Sequence, residues 1–209
     1  MTEPIRFDLP PTPEALAALT PRQELRLFGT IYTMRDAGHQ RTIIYLDEHD
    51  ELPYDLKGQA LFYAGPTPAA AGRPFGAIGP TTSARMDAFA PRLYQAGISV
   101  TLGKGTRSQQ VQDACKSYNA AYLTTIGGAA ALLARHVVAA ELIAWPDLGP
   151  EALYRLTLDN FPAWVAICPN DATGAASNDV PHTTGLVAND TPNQTTDNTP
   201  TQTPTTNTA

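Results

Sequence analysis

Residues 79–87 read GPTTSARMD, and the rest of the chain is organised around this stretch. An apolar run at residues 60–64 comes before it, followed by a loop rich in Gly, Pro and Ala. A Gly–Pro pair followed by Thr, Thr and Ser is typical of a helix entry, where the first backbone N–H groups lack partners. Such a helix end attracts anions, because its free donors and its dipole both favour negative charge. We therefore predict a short helix over residues 82–88 with an anion site at its start.

Thr81 and Arg85 lie four residues apart within this stretch, which would place them on one face of a helix. A hydroxyl and a guanidinium would then meet at a site for a carboxylate or a phosphate. The alternative is a capped surface helix, in which Thr and Ser are ordinary N-caps and Arg is exposed. Spacing alone favours the capped helix, because short motif matches are only hypotheses. The rest of the chain shifts the balance toward a binding site.

The composition indicates a protein with a sizeable core and without a nucleic-acid surface. The chain has 209 residues, 43% of them hydrophobic, and a net charge of −6 without any run of Lys or Arg. The N-terminal residues lack the apolar segment of a signal peptide, and no apolar run is long enough to span a membrane. Two cysteines, Cys115 and Cys168, suggest reduced thiols rather than a disulfide framework. We therefore expect a cytoplasmic protein that binds neither nucleic acid nor membrane.

Short apolar runs alternate with helical patterns along the chain, most regularly after residue 98. Predicted strands lie at residues 25–33, 57–64, 98–102, 121–126, the second half of 137–145, 156–158 and 163–168. Predicted helices lie at residues 34–48, 82–88, 91–97, 108–118, 127–135 and 150–154. This alternation is typical of βα units and predicts an α/β fold.

Three segments of the chain differ in composition. Residues 1–24 contain PPTP and are interpreted as a flexible start and a polar lead-in, and residues 25–170 as the folded domain. Residues 171–209 form a tail rich in Thr, Asn and Pro with almost no large apolar side chain to bury. We expect this tail to be disordered, most clearly over residues 183–209, because burial cannot offset the entropy of ordering it.

Four side chains that suit an anionic ligand occur at predicted turns or element ends: Arg35, Thr81, Arg85 and Lys104. Ligands of open α/β sheets bind beyond the carboxyl ends of the strands. Two Arg and one Lys that converge there would suit a substrate with two carboxylates, since Arg offers a bidentate fork and Lys a point charge. Glycines on both sides of Lys104 indicate a close backbone approach. The alternative for each of these charges is simple solvation.

Asp36 and His39 accompany Arg35 in the sequence RDAGH. His39 follows Arg35 by four residues, on the same face of a helix. A lone His is more often structural, so we expect His39 to orient its neighbours rather than to act as a base. Asp36 is expected to pair with Arg35 or another neighbour, or to cap the helix. The sequence contains no metal-binding, Walker A, dinucleotide-binding or Ser-His-Asp motif.

Several motifs, taken in order, are similar to those of one family. They are TMRDAGHQR at 33–41, LFYAGP at 61–66, GPTTSARMD at 79–87, LGKG at 102–105, YLTTIGGAAAL at 122–132, and DLGPEALYRL through DNFPAWVAI at 147–167. Over about residues 25–168 the chain resembles the β subunit, equivalently the C-terminal domain, of class I iron–sulfur fumarases and L-tartrate dehydratases. Several ordered motifs at consistent spacing are far more specific than any one of them.

The resemblance implies the swivelling β/β/α fold, a mixed sheet flanked by helices, and makes residues 25–170 a catalytic domain. It also implies reversible addition of water to the double bond of a dicarboxylate, with fumarate/malate the first substrate choice and L-tartrate the second. By the same resemblance, the contacts to the substrate carboxylates fall to Arg35, Arg85 and Lys104. Thr81 matches the threonine proposed to handle the C3 proton, whereas Asp36 and His39 match the RDxxH motif and have supporting roles.

The resemblance also implies a cofactor and a partner. In the family a 4Fe-4S cluster acts as Lewis acid and is held by three cysteines of the α portion. This chain has two cysteines in total, so a separate α subunit carrying the cluster is implied, in a heterotetramer. Cys168 stands near where relatives often carry Asp, and the tail has no family counterpart. The alternatives are a non-catalytic dicarboxylate-binding module and a scaffold protein with the tail as interaction arm.

Overall fold

The computed structural model describes residues 3–69, 72 and 76–171 of the chain. In this part of the chain the strands are β1 (Ile5–Leu9), β2 (Glu24–Thr33), β3 (Ala60–Phe62), β4 (Val100–Gly103), β5 (Ala121–Thr124), β6 (Val137–Ala144) and β7 (Leu153–Ile167). The helices are α1 (Pro13–Ala17), α2 (Asp36–His49), α3 (Ala90–Gln95), α4 (Gln109–Ser117) and α5 (Ala130–Leu133). Short 3₁₀ helices lie at Ser83–Met86, Ala134–His136 and Pro146–Glu151.

The strands form one mixed sheet in the order β1-β2-β3-β4-β5-β7-β6, with a further pairing between β2 and β7. The strands β1 to β5 run parallel to their neighbours in this order. In contrast, β7 runs antiparallel to β2, β5 and β6. Because β7 pairs with both β2 and β5, the strands β2, β3, β4, β5 and β7 form a closed ring. The predicted α/β fold with a mixed sheet flanked by helices is therefore confirmed.

Two hydrophobic cores lie on opposite faces of the sheet. Phe62 of β3 packs into one core, whereas Leu61 and the following Tyr63 pack into the other, because successive side chains of a strand point to opposite faces. The second core is covered by α2, α3 and α4, which contribute Leu46, Leu93 and Val111. These helices therefore lie on the face of the sheet to which Tyr63 points.

The prediction of a flexible N-terminal lead-in is wrong for the residues that form β1 and α1. The strand β1 pairs in parallel with the first half of β2, from Ile5 opposite Leu25 to Leu9 opposite Gly29. The alternating apolar residues of IRFDL were the available signal, since Phe7 and Leu9 are buried. The helix α1 begins after Thr12, whose hydroxyl accepts the backbone N–H of Ala15 at 3.2 Å.

Other elements differ from prediction in extent. The strands predicted at 156–158 and 163–168 belong to one strand, β7, and the helix predicted at 150–154 is a 3₁₀ helix, Pro146–Glu151, that ends before this strand. The disordered tail predicted at 171–209 lies outside the described residues, apart from residue 171. The domain boundaries at 25 and 170 stay predictions. Within the described ranges, no helix combines the length and the apolar character needed to cross a membrane.

Gly29 offers a test of how firmly β1 belongs to the fold. This residue has φ +97°, and a Cβ added there would lie 2.2 Å from the carbonyl oxygen of Leu9. Gly29→Ala must therefore strain the backbone and displace β1. Gly58→Ala is the matched control, because Gly58 also has a positive φ of +77° but has open space around its Cα. We expect about 1–2 kcal/mol of destabilisation for Gly58→Ala and at least twice that for Gly29→Ala in urea unfolding. Equal losses would show that β1 contributes little to stability.

Candidate active site

The carboxyl ends of three adjacent parallel strands position the candidate residues. Arg35 follows the end of β2, where the N–H of Met34 donates to the carbonyl of Phe62 at the end of β3. Lys104 directly follows the end of β4. The strand β4 pairs with β3 on the side of β3 that faces away from β2. This agrees with the expected placement of both cations at one edge of the sheet.

The stretch at 79–87 crosses this edge as an extended segment before it turns. Its Thr81 N–H donates to the carbonyl of Tyr63 at 2.7 Å, and its Ser83 N–H donates to the carbonyl of Lys104 at 2.9 Å. Thr82 also forms an isolated parallel bridge with Lys104. Thr81 therefore lies at this edge of the sheet, between the ends of β3 and β4.

The predicted helix over residues 82–88 is wrong, whereas the anion site at its start stays a prediction. Only Ser83–Met86 is helical, as one 3₁₀ turn, and its N-cap Thr82 makes no side-chain capping bond. Thr81 lies outside this turn and so does not share a helix face with Arg85. The reason is tertiary: the N–H groups of Thr81 and Ser83 bind the carbonyls of neighbouring strand ends and are not free donors.

Arg85 is paired with Asp36, the first residue of α2. Its Nε donates to one carboxylate oxygen at 3.1 Å, and its Nη2 donates to the other at 2.7 Å. This bidentate pair fixes the plane of the guanidinium and ties the 3₁₀ turn to α2. Asp36 therefore pairs with Arg85, one of the partners that its sequence context left open.

Arg35 lies at the N-cap of α2, next to a carboxylate that the sequence analysis did not identify. Oε1 of Glu151 lies 3.8 Å from Nη2 of Arg35, and Oε2 of Glu151 accepts the N–H of Ala37 at 2.8 Å. The Nε of Arg35 is buried and finds no hydrogen-bond partner among the residues that the structure describes. The only sequence signal for Glu151 was its place in the motif at 147–167, because its partners lie more than a hundred residues earlier in the chain.

His39 is fully buried and supports the same turn. Its Nδ1 lies 2.7 Å from the carbonyl oxygen of Arg35, so Nδ1 carries a hydrogen and donates it. Burial lowers the pKa of His39 to about 4, and the imidazole is therefore neutral at physiological pH. Its Nε2 is then an acceptor, buried and without a partner in the described part of the chain, and the ring packs edge-on against Tyr63. This geometry fits the expected orienting role.

Lys104 is partly buried and lies between two glycines with different physical roles. A Cβ on Gly103 would lie 2.0 Å from Oγ of Ser83, so only glycine permits this close approach. Gly105 has φ +83° and open space, so it is needed for backbone conformation. The Lys104 side chain runs toward Gly127, where a Cβ would lie 3.9 Å from Nζ. The close approach that the two glycines predict is therefore present at Gly103, where the neighbour is Ser83, and absent at Gly105.

A buried ion pair between Asp87 and Arg107 anchors the two segments that carry Arg85 and Lys104. The Nε of Arg107 donates to Asp87 at 2.6 Å, and the Arg107 side chain is fully buried. The other oxygen of Asp87 accepts the N–H of Ser108 at 2.7 Å, at the start of α4. Arg107 lies in none of the sequence motifs, so no local pattern pointed to it.

Two tyrosine rings enclose the buried guanidinium and extend this anchor. The guanidinium carbon of Arg107 lies 4.8 Å from the ring centre of Tyr122 and 5.3 Å from that of Tyr63. The hydroxyl of Tyr122 donates to the carbonyl of Gly105 at 2.8 Å and lies 2.9 Å from Oγ of Ser83. Burial raises the pKa of Tyr122, which keeps this hydroxyl protonated. Ser83 accepts the N–H of Lys104 at 3.0 Å, so the network ends at the candidate lysine.

The two cysteines do not form a metal site. Burial raises the pKa of Cys115 to about 11 and also raises the pKa of Cys168, so both thiols are protonated. They belong to different hydrophobic cores, on opposite faces of the sheet. In the part of the chain that the structure describes, no group of three His, Cys, Asp or Glu side chains is placed to hold a metal ion.

Comparison with known proteins identifies the family of this chain. The family model described as "Fumarase C-terminus" matches residues 2–177. The chain belongs to the fumarase C-terminus family. This family assignment agrees with the resemblance found in the ordered motifs. It extends the match to the N-terminal residues that form β1 and α1.

Three relatives illustrate how much of the family's proteins this chain covers. Fumarate hydratase class I, anaerobic, of Escherichia coli K12 is 40% identical over 171 residues, which are 79% of this chain and 31% of that protein. Fumarate hydratase 1, mitochondrial, of Leishmania major is 42% identical over 163 residues, 75% of this chain and 30% of that protein. L(+)-tartrate dehydratase subunit beta of Escherichia coli K12 is 34% identical over 139 residues, 65% of this chain and 68% of that subunit. The chain thus spans about a third of the fumarate hydratases that it matches.

The burial of His39 predicts a pH dependence of stability. In the unfolded chain its pKa returns to about 6.5, whereas in the folded protein it is about 4. Protons therefore bind the unfolded state more readily in this window, and stability is lost as pH falls from about 6.5 toward 4. The depression corresponds to about 3 kcal/mol at the acid end.

His39→Phe removes the titrating group and should flatten this slope. We expect the free energy of unfolding of the wild type to fall, relative to that of His39→Phe, by about 2 kcal/mol between pH ~7 and pH ~5. His49→Phe is the control, because His49 is exposed at the end of α2. Parallel pH profiles for wild type and His39→Phe would show that His39 is charged or accessible in the folded protein.

Proposed function

We propose that this chain is the β subunit of an iron–sulfur-dependent hydro-lyase that reversibly hydrates a C4 dicarboxylate, with fumarate/malate as the substrate pair. The observation that carries this proposal is the placement of Arg35, Thr81, Arg85 and Lys104 at the carboxyl ends of β2, β3 and β4. The family supports the reaction class, since its named relatives are fumarate hydratases and an L(+)-tartrate dehydratase subunit.

The three cations are suited to hold the two carboxylates of such a substrate. Asp36 occupies Nε and Nη2 of Arg85, so the Nη1 edge of this guanidinium is left for a ligand. Arg35 and Lys104 are both partly buried, which strengthens their attraction to a carboxylate relative to a fully solvated charge. A substrate with two carboxylates would engage this cation set more completely than one with a single carboxylate.

Thr81 is the candidate for proton transfer at C3 of the substrate. A threonine hydroxyl ionises far above neutral pH, so it needs positive charge nearby to stabilise developing negative charge on oxygen. The helix end that the sequence predicted is absent, and this stabilisation falls to the cations Arg85 and Lys104. The backbone bond from Thr81 to Tyr63 fixes the position of the residue at the edge of the sheet.

The 4Fe-4S cluster expected of the family does not fit the residues of this chain. Three thiolates are needed, whereas the chain has two cysteines, both buried, protonated and on opposite faces of the sheet. We propose that an α subunit carries the cluster, in a cytoplasmic heterotetramer. The name of L(+)-tartrate dehydratase subunit beta, of which the chain covers 68%, supports a separate partner. When bound, the cluster would supply Lewis-acid chemistry at the substrate hydroxyl.

L-tartrate is the second candidate substrate, and a non-catalytic dicarboxylate-binding module is the alternative from another class. The similarity to L(+)-tartrate dehydratase subunit beta over most of that subunit favours tartrate as a candidate. Hydration and dehydration assays on a panel of diacids distinguish a fumarate hydratase from an L-tartrate dehydratase. The binding module is favoured if diacids bind but no partner chain restores turnover.

Thr81→Ala, measured in the anaerobically assembled α–β enzyme, tests the proposed chemistry. The substitution removes a hydroxyl and no charge, so KM should change little while kcat falls by about 10²-fold or more. Thr82→Ala is the matched control, because Thr82 is the exposed neighbour and makes no capping bond. The isolated wild-type chain should have no activity, since it lacks the thiolates for a cluster.

Near-normal kcat in Thr81→Ala would remove Thr81 from the catalytic residues and leave the edge as a carboxylate-binding site. Turnover by the isolated wild-type chain, with a bound 4Fe-4S cluster, would contradict the proposed division between two subunits. An assembled wild-type enzyme that hydrates none of the diacids would contradict the proposed function itself.

A further inference from the structure

We infer that Glu151 is a positioning residue that holds the Arg35 guanidinium toward the substrate carboxylate by tying it to the first turn of α2. This inference rests on the proposed function for the part that concerns substrate, but its structural part can be tested without turnover. Arg35 lies beside Glu151, whereas Arg85 is oriented by Asp36. Arg35 and Arg85 thus each lie beside a carboxylate of the same chain, that of Glu151 and that of Asp36 respectively.

The two oxygens of Glu151 have different partners at the same time. One oxygen accepts the Ala37 N–H at 2.8 Å, a bond that satisfies a free donor at the start of α2. The other oxygen lies 3.8 Å from Nη2 of Arg35. About a quarter of each side chain of this ion pair is exposed, 27% for Arg35 and 26% for Glu151, so the pair is shielded from full solvent screening. A single carboxylate therefore links the backbone of the turn to the guanidinium.

The segment that carries Glu151 is shaped to reach this turn. Gly149 has φ 56° and ψ −120°, a conformation that glycine adopts readily, and it reverses the chain within Pro146–Glu151. A Cβ on Gly65 would lie 2.7 Å from the carbonyl oxygen of Pro150 and 3.1 Å from Cδ of Arg35. A Cβ on Gly38 would lie 3.3 Å from the carbonyl oxygen of Glu151. Glycines thus allow the 3₁₀ segment to approach the backbone at Gly38 and Gly65 closely, and Gly65 also packs against the Arg35 stem.

The charge of Glu151 matters because, among the described residues, it is the carboxylate that lies beside the Arg35 guanidinium. Its Nε is buried and has no hydrogen-bond partner among the described residues, so the attraction of the Glu151 carboxylate to Nη2 is the electrostatic contact on which the placement of this guanidinium rests. Glutamine at position 151 retains an oxygen that can accept the Ala37 N–H. Its amide NH₂ would then face the guanidinium, donor against donor, and would release it. Glu151→Gln therefore separates the capping contact from the contact to Arg35.

The experiment compares Glu151→Gln with Asp147→Asn in the full chain. Asp147 lies on the same 3₁₀ segment and forms an exposed bidentate pair with Arg41, at 2.8 and 3.0 Å. The first readout is ¹⁵N relaxation of the Arg35 Nε–H group, assigned by its loss in Arg35→Lys. We expect this order parameter to fall from about 0.85 to below about 0.6 in Glu151→Gln. It should stay unchanged in Asp147→Asn.

The second readout is the kinetics of the same variants in the α–β assembly. A carboxylate contact made in both the ground state and the transition state changes KM and not kcat, so Glu151→Gln should raise KM for the diacid about tenfold. Asp147→Asn should leave both constants at their wild-type values. This split distinguishes positioning of Arg35 from a general loss of stability, which would lower the amount of active enzyme and so the apparent kcat.

The outcomes separate this inference from the proposed function. If the Arg35 Nε–H stays as ordered in Glu151→Gln as in the wild type, the positioning role is wrong, whatever the enzyme does. If Arg35 loosens while KM stays unchanged in an active assembly, Glu151 does not position Arg35 for substrate and the inference is again overturned. If Arg35 loosens but the wild-type assembly hydrates no diacid, the tie to Arg35 is supported and the proposed function fails.

Discussion

The buried ion pair between Asp87 and Arg107 is the interaction on which the candidate site depends. A fully buried guanidinium cannot lose its counter-charge cheaply, and breaking such a pair by removing one partner typically costs about 3–5 kcal/mol. Asp87 ends the stretch that carries Thr81 and Arg85, and Arg107 follows Lys104 by three residues. The pair therefore fixes two segments of the site relative to each other, and the bond from the Lys104 N–H to Ser83 fixes them a second time.

Two of the three candidate cations at the edge of the sheet are balanced by carboxylates of the same chain. Arg85 and Arg35 are each accompanied by a carboxylate, from Asp36 and Glu151, which limits the repulsion among three neighbouring cations. The bidentate pair with Asp36 also orients the plane of the Arg85 guanidinium. Such preorganisation reduces the conformational entropy that binding must overcome. The proposed diacid would then complete a cluster that its own chain already holds in place.

Much of the fold was predictable from local patterns, whereas the contacts that build the site were not. The strand β2, the helix α2 and the helix α4 follow from periodicity, and Arg35, Thr81, Arg85 and Lys104 were found at turns or element ends. Glu151 and Arg107 were missed because their partners lie 114 and 20 residues away, so no local spacing records them. The helix predicted at 82–88 failed for the same reason. Its capping-type sequence is used for tertiary hydrogen bonds to the ends of β3 and β4.

The most direct test of the central claim is the ratio of the inhibition constants of butyrate and succinate for the assembled enzyme. The two inhibitors share a four-carbon backbone and differ in their second carboxylate. A site with converging cations should favour succinate by about 10²-fold, because charge-assisted hydrogen bonds contribute about 1.5–3 kcal/mol each. Lys104→Met should reduce this preference by about tenfold, while Lys57→Met, remote in the loop before β3, should leave it unchanged. Equal inhibition of the wild type by both compounds, or an unchanged ratio in Lys104→Met, would contradict a dicarboxylate site at the edge formed by β2, β3 and β4.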